Sequence, residues 1–142
     1  MARLIGRHSI FYGMVAESEG GVCLVICERE KSSAAGSKML KFEVAGGYAR
    51  GEKICLMISP EDISLDMTDG GNEKTSILNH FHGRVTAVNH FEFGMLVTAA
   101  IGEGFEMSSY ITMRSYSALG LGPGAPVRLS VKATAIKTVE IA

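Results

Sequence analysis

The sequence predicts an all-β fold with one minor helix, arranged as two tandem five-stranded barrels. Two observations lead there. First, the chain repeats itself. Ser9-Ile10-Phe11-Tyr12-Gly13-Met14-Val15 returns as Asn79-His80-Phe81-His82-Gly83-Arg84-Val85, and Gly51-Glu52-Lys53-Ile54-Cys55-Leu56-Met57-Ile58 returns as Gly124-Ala125-Pro126-Val127-Arg128-Leu129-Ser130-Val131. The offset grows from 70 to 73, so the second copy carries three extra residues between the blocks. Second, apolar residues alternate over short runs separated by glycines, the period of half-buried strands. A duplicated small β-unit points to pseudo-symmetric binding rather than to a single catalytic cleft.

In the first copy, 10–17 and 22–27 read as strands joined by the turn Gly20-Gly21. Residues 31–38 are small and polar and read as a loop; 39–44 reads as a third strand. In 53–58, Ile54, Leu56 and Ile58 share a face. Pro60 breaks that strand, and 63–67 resumes it with Ile63, Leu65 and Met67 on one face. The polar stretch 68–74 holds paired glycines and reads as a linker between a first repeat, 1–67, and a second, 75–142. The second repeat follows the same order, with strands at 82–89, 95–101, 105–112, 127–131 and 135–139. A short helix is expected over 113–119, capped by Thr112 and ended by Gly120 and Gly122. Five short strands with an optional helix match the OB-type barrel, whose closure removes exposed sheet edges. Gly13 and Gly83 read as steric requirements of a sharply coiled strand.

Composition narrows the function. A chain of 142 residues allows one ordinary domain or two very small ones. Units of about 70 residues sit near the lower limit for an independent core, so they gain by packing on each other or by oligomerising. The net charge is −1, without the basic face that duplex nucleic acid or an anionic membrane needs. Cys23, Cys27 and Cys55 are odd in number and form no metal pattern, which favours reduced thiols and a cytoplasmic location. Cys23 and Cys27 fall on one strand face. No apolar run approaches the roughly 20 residues of a membrane span. His80 and His82 share a face if extended, but no third metal ligand accompanies them. Phe81, Phe91 and Phe93 read as core or interface residues, since single-strand binding wants basic residues among its aromatics. No nucleophile–base pair or carboxylate pair stands out, so neither an enzyme nor a catalytic cofactor is expected.

The sharpest local motif is Thr75-Ser76-Ile77-Leu78-Asn79-His80-Phe81-His82-Gly83-Arg84-Val85. Downstream come Ile111-Thr112-Met113-Arg114-Ser115, Leu119-Gly120-Leu121-Gly122-Pro123-Gly124 and Val131-Lys132-Ala133-Thr134-Ala135-Ile136. Together these resemble the molbindin, or Mop-like, domain. The first copy, with Ile58-Ser59-Pro60-Glu61-Asp62-Ile63, resembles the transport-associated OB (TOBE) half found in the same proteins. The pairing is similar to the C-terminal regulatory region of molybdate and tungstate importer ATPases of the ABC transporter class. The resemblance implies molybdate or tungstate as ligand and a homodimer, with a trimer as the alternative. It also implies a store, a sensor or the regulatory part of an importer, with an ABC transporter ATPase as a partner. The chain has no G-x-x-x-x-G-K-S/T phosphate loop of its own. Leu78 stands where the family usually has Arg. In the first copy Gly6 replaces Ser76, Ser9 replaces Asn79, and Ser59-Pro60-Glu61 replaces Lys132-Ala133-Thr134.

A tetrahedral oxyanion accepts hydrogen bonds and donates none, so its site needs N–H and O–H donors and no carboxylate. At the positions matching the family pattern, Thr75, Ser76, Lys132, the backbone N–H of Ala133, and Thr134 supply that set. Singly, Ser76 also fits the end of a linker, Thr134 a strand residue, and Lys132 a charge that blunts a sheet edge. In the first copy Glu61 is a poor anion ligand and Pro60 has no N–H. One oxyanion per chain is therefore expected, held by the second repeat, with the first mainly structural. Thr112 and Ser115 are expected to cap the helix, and Asn79 to fix a turn through backbone bonds. The competing reading is a ligand-free dimerisation module of a transport ATPase. A nucleic-acid-binding OB module is a weaker third.

Overall fold

The structure, a computed structural model, describes residues 7–28, 39–67, 75–102 and 104–141. The loop expected at 31–38, the linker expected at 68–74, and Gly6 lie outside the described residues. The first half contributes β1 (Ser9–Glu19), β2 (Val22–Glu28), β3 (Met39–Ala45) and β4 (Lys53–Ile58), then a 3-10 turn (Pro60–Asp62) and β5 (Ser64–Asp66). The second contributes β6 (Asn79–Phe91), β7 (Gly94–Gly102), β8 (Phe105–Thr112), the helix α1 (Met113–Leu119) and β9 (Pro126–Val131), then a 3-10 turn (Ala133–Ala135) and β10 (Lys137–Glu140). The helix falls where its caps place it. Thr112 Oγ1 accepts from the Ser115 N–H at 3.1 Å, and Gly120 closes the helix in the left-handed conformation. The strand expected over 63–67 is shorter, because Ile63 still bonds back into the 3-10 turn and Met67 is exposed.

The repeat is kept in register as well as in order. Ser9 pairs with Ile58 and Gly13 with Ile54, as Asn79 pairs with Val131 and Gly83 with Val127. Both long strands carry a register shift at the same place, between Val15 and Glu17 and between Val85 and Ala87. Such bulges bend a strand and let a small sheet curl into a barrel. The close approach that goes with this bend explains one glycine in each copy. A Cβ on Gly13 would lie 2.7 Å from the Ile26 carbonyl oxygen, and one on Gly83 would overlap the Ala100 carbonyl.

The two sheets do not divide at the boundary between the repeats. One runs β10-β4-β1-β2-β3 and the other β5-β9-β6-β7-β8, so each takes its last strand from the opposite half. β10 pairs with β4 (Thr138 opposite Leu56), and β5 pairs with β9 (Leu65 opposite Leu129). The 3-10 turn before each exchanged strand carries the chain across to the other half. The turn Ala133–Ala135 packs on β3 and Pro60–Asp62 on β8, the far edge strands of the sheets they reach. Each curled sheet therefore closes around a borrowed strand.

Exchange also merges the cores. Phe11 lies 4.9 Å from Phe42 and 6.3 Å from Phe105, and Phe42 lies 5.0 Å from Phe81, ring centre to ring centre. Phe11 and Phe81 are equivalent residues of the repeat, and each meets an aromatic ring of the opposite half. Ile54, Leu56 and Ile58 are fully buried, as are Val97 and Leu129 on the other side. Cys23 and Cys27 do share a buried face, and all three thiols are free. Of the three phenylalanines expected in the core or an interface, Phe81 packs on the core and Phe91 meets Tyr110 edge-on at 6.0 Å. Phe93 is not a core residue: it sits 92% exposed in the tight turn between β6 and β7.

Candidate functional site

The pairing of Asn79 with Val131 organises the candidate site. Because that pair ends the β6–β9 ladder, residues 75–78 enter and residues 132–134 leave at the same end. Two of the four chain positions 75–78 that precede β6, Thr75 and Ser76, are exposed hydroxyl residues. Thr75 Oγ1 accepts from the Ile77 N–H at 3.1 Å, which turns the segment locally. On the other strand Lys132 is exposed and extended, and its side chain caps nothing. Its carbonyl accepts from Ala135 N–H at 3.0 Å, and the Ala133 carbonyl accepts from Ile136 N–H at 3.4 Å. A turn built on such bonds has no internal acceptor for its first N–H groups, here those of Ala133 and Thr134. Ala133 is buried on β3 while Thr134 faces solvent.

Two side chains hold this end of the ladder, and sequence reasoning assigned neither that role. His80 Nε2 lies 3.0 Å from the Ile77 carbonyl oxygen, and Nδ1 lies 2.7 Å from Ser130 Oγ. A carbonyl only accepts, so Nε2 carries the proton, and Nδ1 accepts from the Ser130 hydroxyl in the neutral ring. His80 thus straps the Thr75–Ser76 segment to β9. Asn79, 3% exposed, does more than fix a local turn. Its Oδ1 accepts from the Glu43 N–H at 2.7 Å, and its Nδ2 donates to the carbonyls of Glu43 at 2.8 Å and Val131 at 3.2 Å. It therefore ties β6 and β9 to the edge of β3, across the two halves. The signal for both was present in the repeat, where Ile10, Met57 and Ser9 occupy the places of His80, Ser130 and Asn79.

The equivalent corner of the first half is built differently. Ser59 Oγ donates to Glu61 Oε1 at 3.3 Å, so a carboxylate already occupies its hydroxyl. Pro60 is buried and has no N–H. Ser9 Oγ makes a single bond across the halves, accepting from Ser108 N–H at 3.3 Å. Among the described residues no hydrogen bond runs directly between the 75–76 and 132–134 segments, and no three His, Cys, Asp or Glu side chains gather as metal ligands. Among the described residues no helix is long and apolar enough to cross a membrane. Two grooves, of about 450 and about 590 Å³, lie elsewhere, on the outer side of β1 and around Glu17, Glu19, Glu43 and Arg50. Thr75, Ser76, Lys132 and Thr134 are exposed, and none of the five candidate donors lines either groove.

Residues 75–138, which include this corner almost entirely, match the family model of the TOBE domain. The TOBE match leaves the first half unassigned, but the fold of the whole chain does not. It is similar to that of a solved cytoplasmic molybdate-binding protein, ModG, in a crystal form with molybdate bound. The TM-score is 0.69 at 23% identity, over 91% of this chain and 93% of that one. The tandem OB-type barrels expected from the repeat are therefore the fold. No curated protein matches the chain in sequence. What the chain does match is a binding protein and a transport-associated domain, not an enzyme family.

Proposed function

We propose that the chain binds molybdate or tungstate in the cytoplasm, through Thr75, Ser76, Lys132, the Ala133 N–H and Thr134. The observation that carries the reading is the Asn79–Val131 pairing, which delivers both donor segments to one end of one ladder. The resemblance of the fold to ModG, solved with molybdate, supports the choice of ligand. Charge-assisted hydrogen bonds are worth roughly 1.5–3 kcal/mol each. Four or five of them, less dehydration and ordering, reach the roughly −8 kcal/mol of a micromolar site. Discrimination against sulfate then comes from spacing, since a smaller anion leaves donors unpaired.

The same reading assigns the binding to the second repeat, 75–142, and leaves the first, 1–67, as scaffold, with one oxyanion per chain. Because Thr75, Ser76, Lys132 and Thr134 are exposed, a second chain of a homodimer or trimer would complete the enclosure of the anion. An importer ATPase of the ABC class is the partner such a regulator would serve; binding, not catalysis, is its business. The deciding experiment is a thermal melt at matched ionic strength, with native mass spectrometry for stoichiometry. Molybdate or tungstate should raise the melting temperature well above the effect of sulfate, with one anion per chain. The absence of any shift up to millimolar anion would sink the reading. In that event the exchange of strands between the halves favours the ligand-free structural module.

A further inference from the structure

The register shift between Val15 and Glu17 does more than bend β1. In a flat strand only alternate residues reach one face, but here all of 12–16 border the groove of about 450 Å³. Across the strands the groove runs from Lys53 on β4, opposite Met14, to Ile26 on β2, which is also opposite Met14. It continues to Glu28 and Met39, which pair with each other. Ile141, whose N–H bonds the Lys53 carbonyl at 2.9 Å, closes the β4 end. The row Lys53–Met14–Ile26 has a counterpart in the second half, Pro126–Arg84–Ala100. There Arg84 donates to the Gly124 carbonyl at 3.0 Å, and neither groove is lined by that row. The shared register therefore does not demand an apolar floor with a lysine beside it.

Small-molecule sites occupy roughly 300–1,000 Å³ and combine a mostly apolar lining with a few polar groups that fix orientation. This groove has that make-up. Tyr12, Met14, Met39 and Ile141 stand 38% to 65% exposed along it. The two methionines are unbranched and polarizable, so they can settle around a ligand of irregular shape. Lys53 and Glu28 are the charged groups of the lining, and among the described residues neither is held in an ion pair. They lie two strands and two residues apart, roughly 12 Å between Cα atoms. One end of the groove is therefore cationic and the other anionic, with an apolar stretch between.

We propose that this groove binds a small amphipathic anion, an organic acid charged at one end only. Its carboxylate pairs with Lys53, its apolar body lies over Met14 and Ile26, and its tail ends near Met39. Charge complementarity selects this class. The lysine supplies a charge-assisted hydrogen bond to the head group. Glu28, at the far end, repels a second anionic group, so an acid charged at both ends fits poorly. An inorganic oxyanion has no apolar surface to bury on this floor. The inference stands independently of the oxyanion reading, since no lining residue is among the proposed donors.

The probes are decanoate and decanedioate, acids of equal length with one and two carboxylates, titrated calorimetrically into the full chain. Decanoate should bind at one site per chain, and decanedioate roughly tenfold more weakly. Lys53→Gln should weaken decanoate by roughly tenfold. Lys137→Gln, on β10 and outside the groove lining, should leave it unchanged. Glu28→Gln should narrow the gap between the two acids, and Ile26→Glu should abolish binding. If Ile26→Glu fails to fold, Lys53→Gln decides alone, since Lys53 is exposed. Saturating tungstate should not displace decanoate, so this site can fail while the oxyanion reading holds, and the reverse. No decanoate binding up to millimolar concentration overturns the proposal. So do equal affinities for the two acids, adsorption at many sites that Lys53→Gln leaves undisturbed, or displacement by tungstate.

Discussion

The two halves of this molecule keep the same skeleton and differ in almost everything attached to it. Phe11 and Phe81, Gly13 and Gly83, and the bulges after Val15 and Val85 occupy matching places and do matching work. At the corner where the last strand departs, the second half has Asn79, His80, Ser130 and Lys132-Ala133-Thr134, and the first has Ser9, Ile10, Met57 and Ser59-Pro60-Glu61. The outer faces diverge as completely. What the contrast teaches is that barrel geometry constrains inward and crowded positions, while outward positions are free to specialise.

The largest effects should fall on the shared skeleton. Gly83→Ala forces a methyl group into the Ala100 carbonyl, and Gly13→Ala forces one against Ile26. Each should cost about 3 kcal/mol or more, read as a fall in the urea midpoint. A variant as stable as the parent would show that the strand bend is not what requires glycine. Next comes a contrast between halves. Asn79→Ala removes three hydrogen bonds and leaves the Glu43 backbone partners unpaired, whereas Ser9→Ala removes one. The expected losses are about 3 and about 1 kcal/mol respectively. Equal losses would mean that the cross-half ties are symmetric in energy despite their different chemistry.

Most of the skeleton was legible in the sequence because its signals are local. Ile54, Leu56 and Ile58 alternate, Thr112 and Gly120 bracket the helix, and the Gly13 and Gly83 motifs repeat. The exchange of β5 and β10 was not legible, because both pairings satisfy the same alternation. Leu65 presents the same side to β4 or to β9, and only the path of the 3-10 turn decides. The candidate donors could be named from the family pattern, but the two residues that hold them could not. His80 bonds Ser130, fifty positions away in sequence, and Asn79 bonds Glu43 across the two halves. No spacing rule connects such pairs, although the polar-for-apolar replacements within the repeat marked where to look.

The finest difference between the halves is the strap, and it separates holding from binding. If Lys132 contacts the anion directly, Lys132→Ala should weaken tungstate binding by about 2 kcal/mol, roughly 30-fold, with little change in stability, since the side chain is exposed. His80 touches only Ile77 and Ser130 through its ring nitrogens. His80→Ala should therefore act through the freedom it gives the Thr75–Ser76 segment, costing about 1 kcal/mol in both stability and affinity. His80→Gln can still donate to the Ile77 carbonyl and should recover part of each. Isothermal titration of the three variants would show which group does what. A Lys132→Ala variant that binds tungstate as the parent does would remove Lys132 from the site while leaving the strap intact. A His80→Ala loss as large as that of Lys132→Ala, and unrelieved by Gln, would mean that the histidine contacts the anion itself.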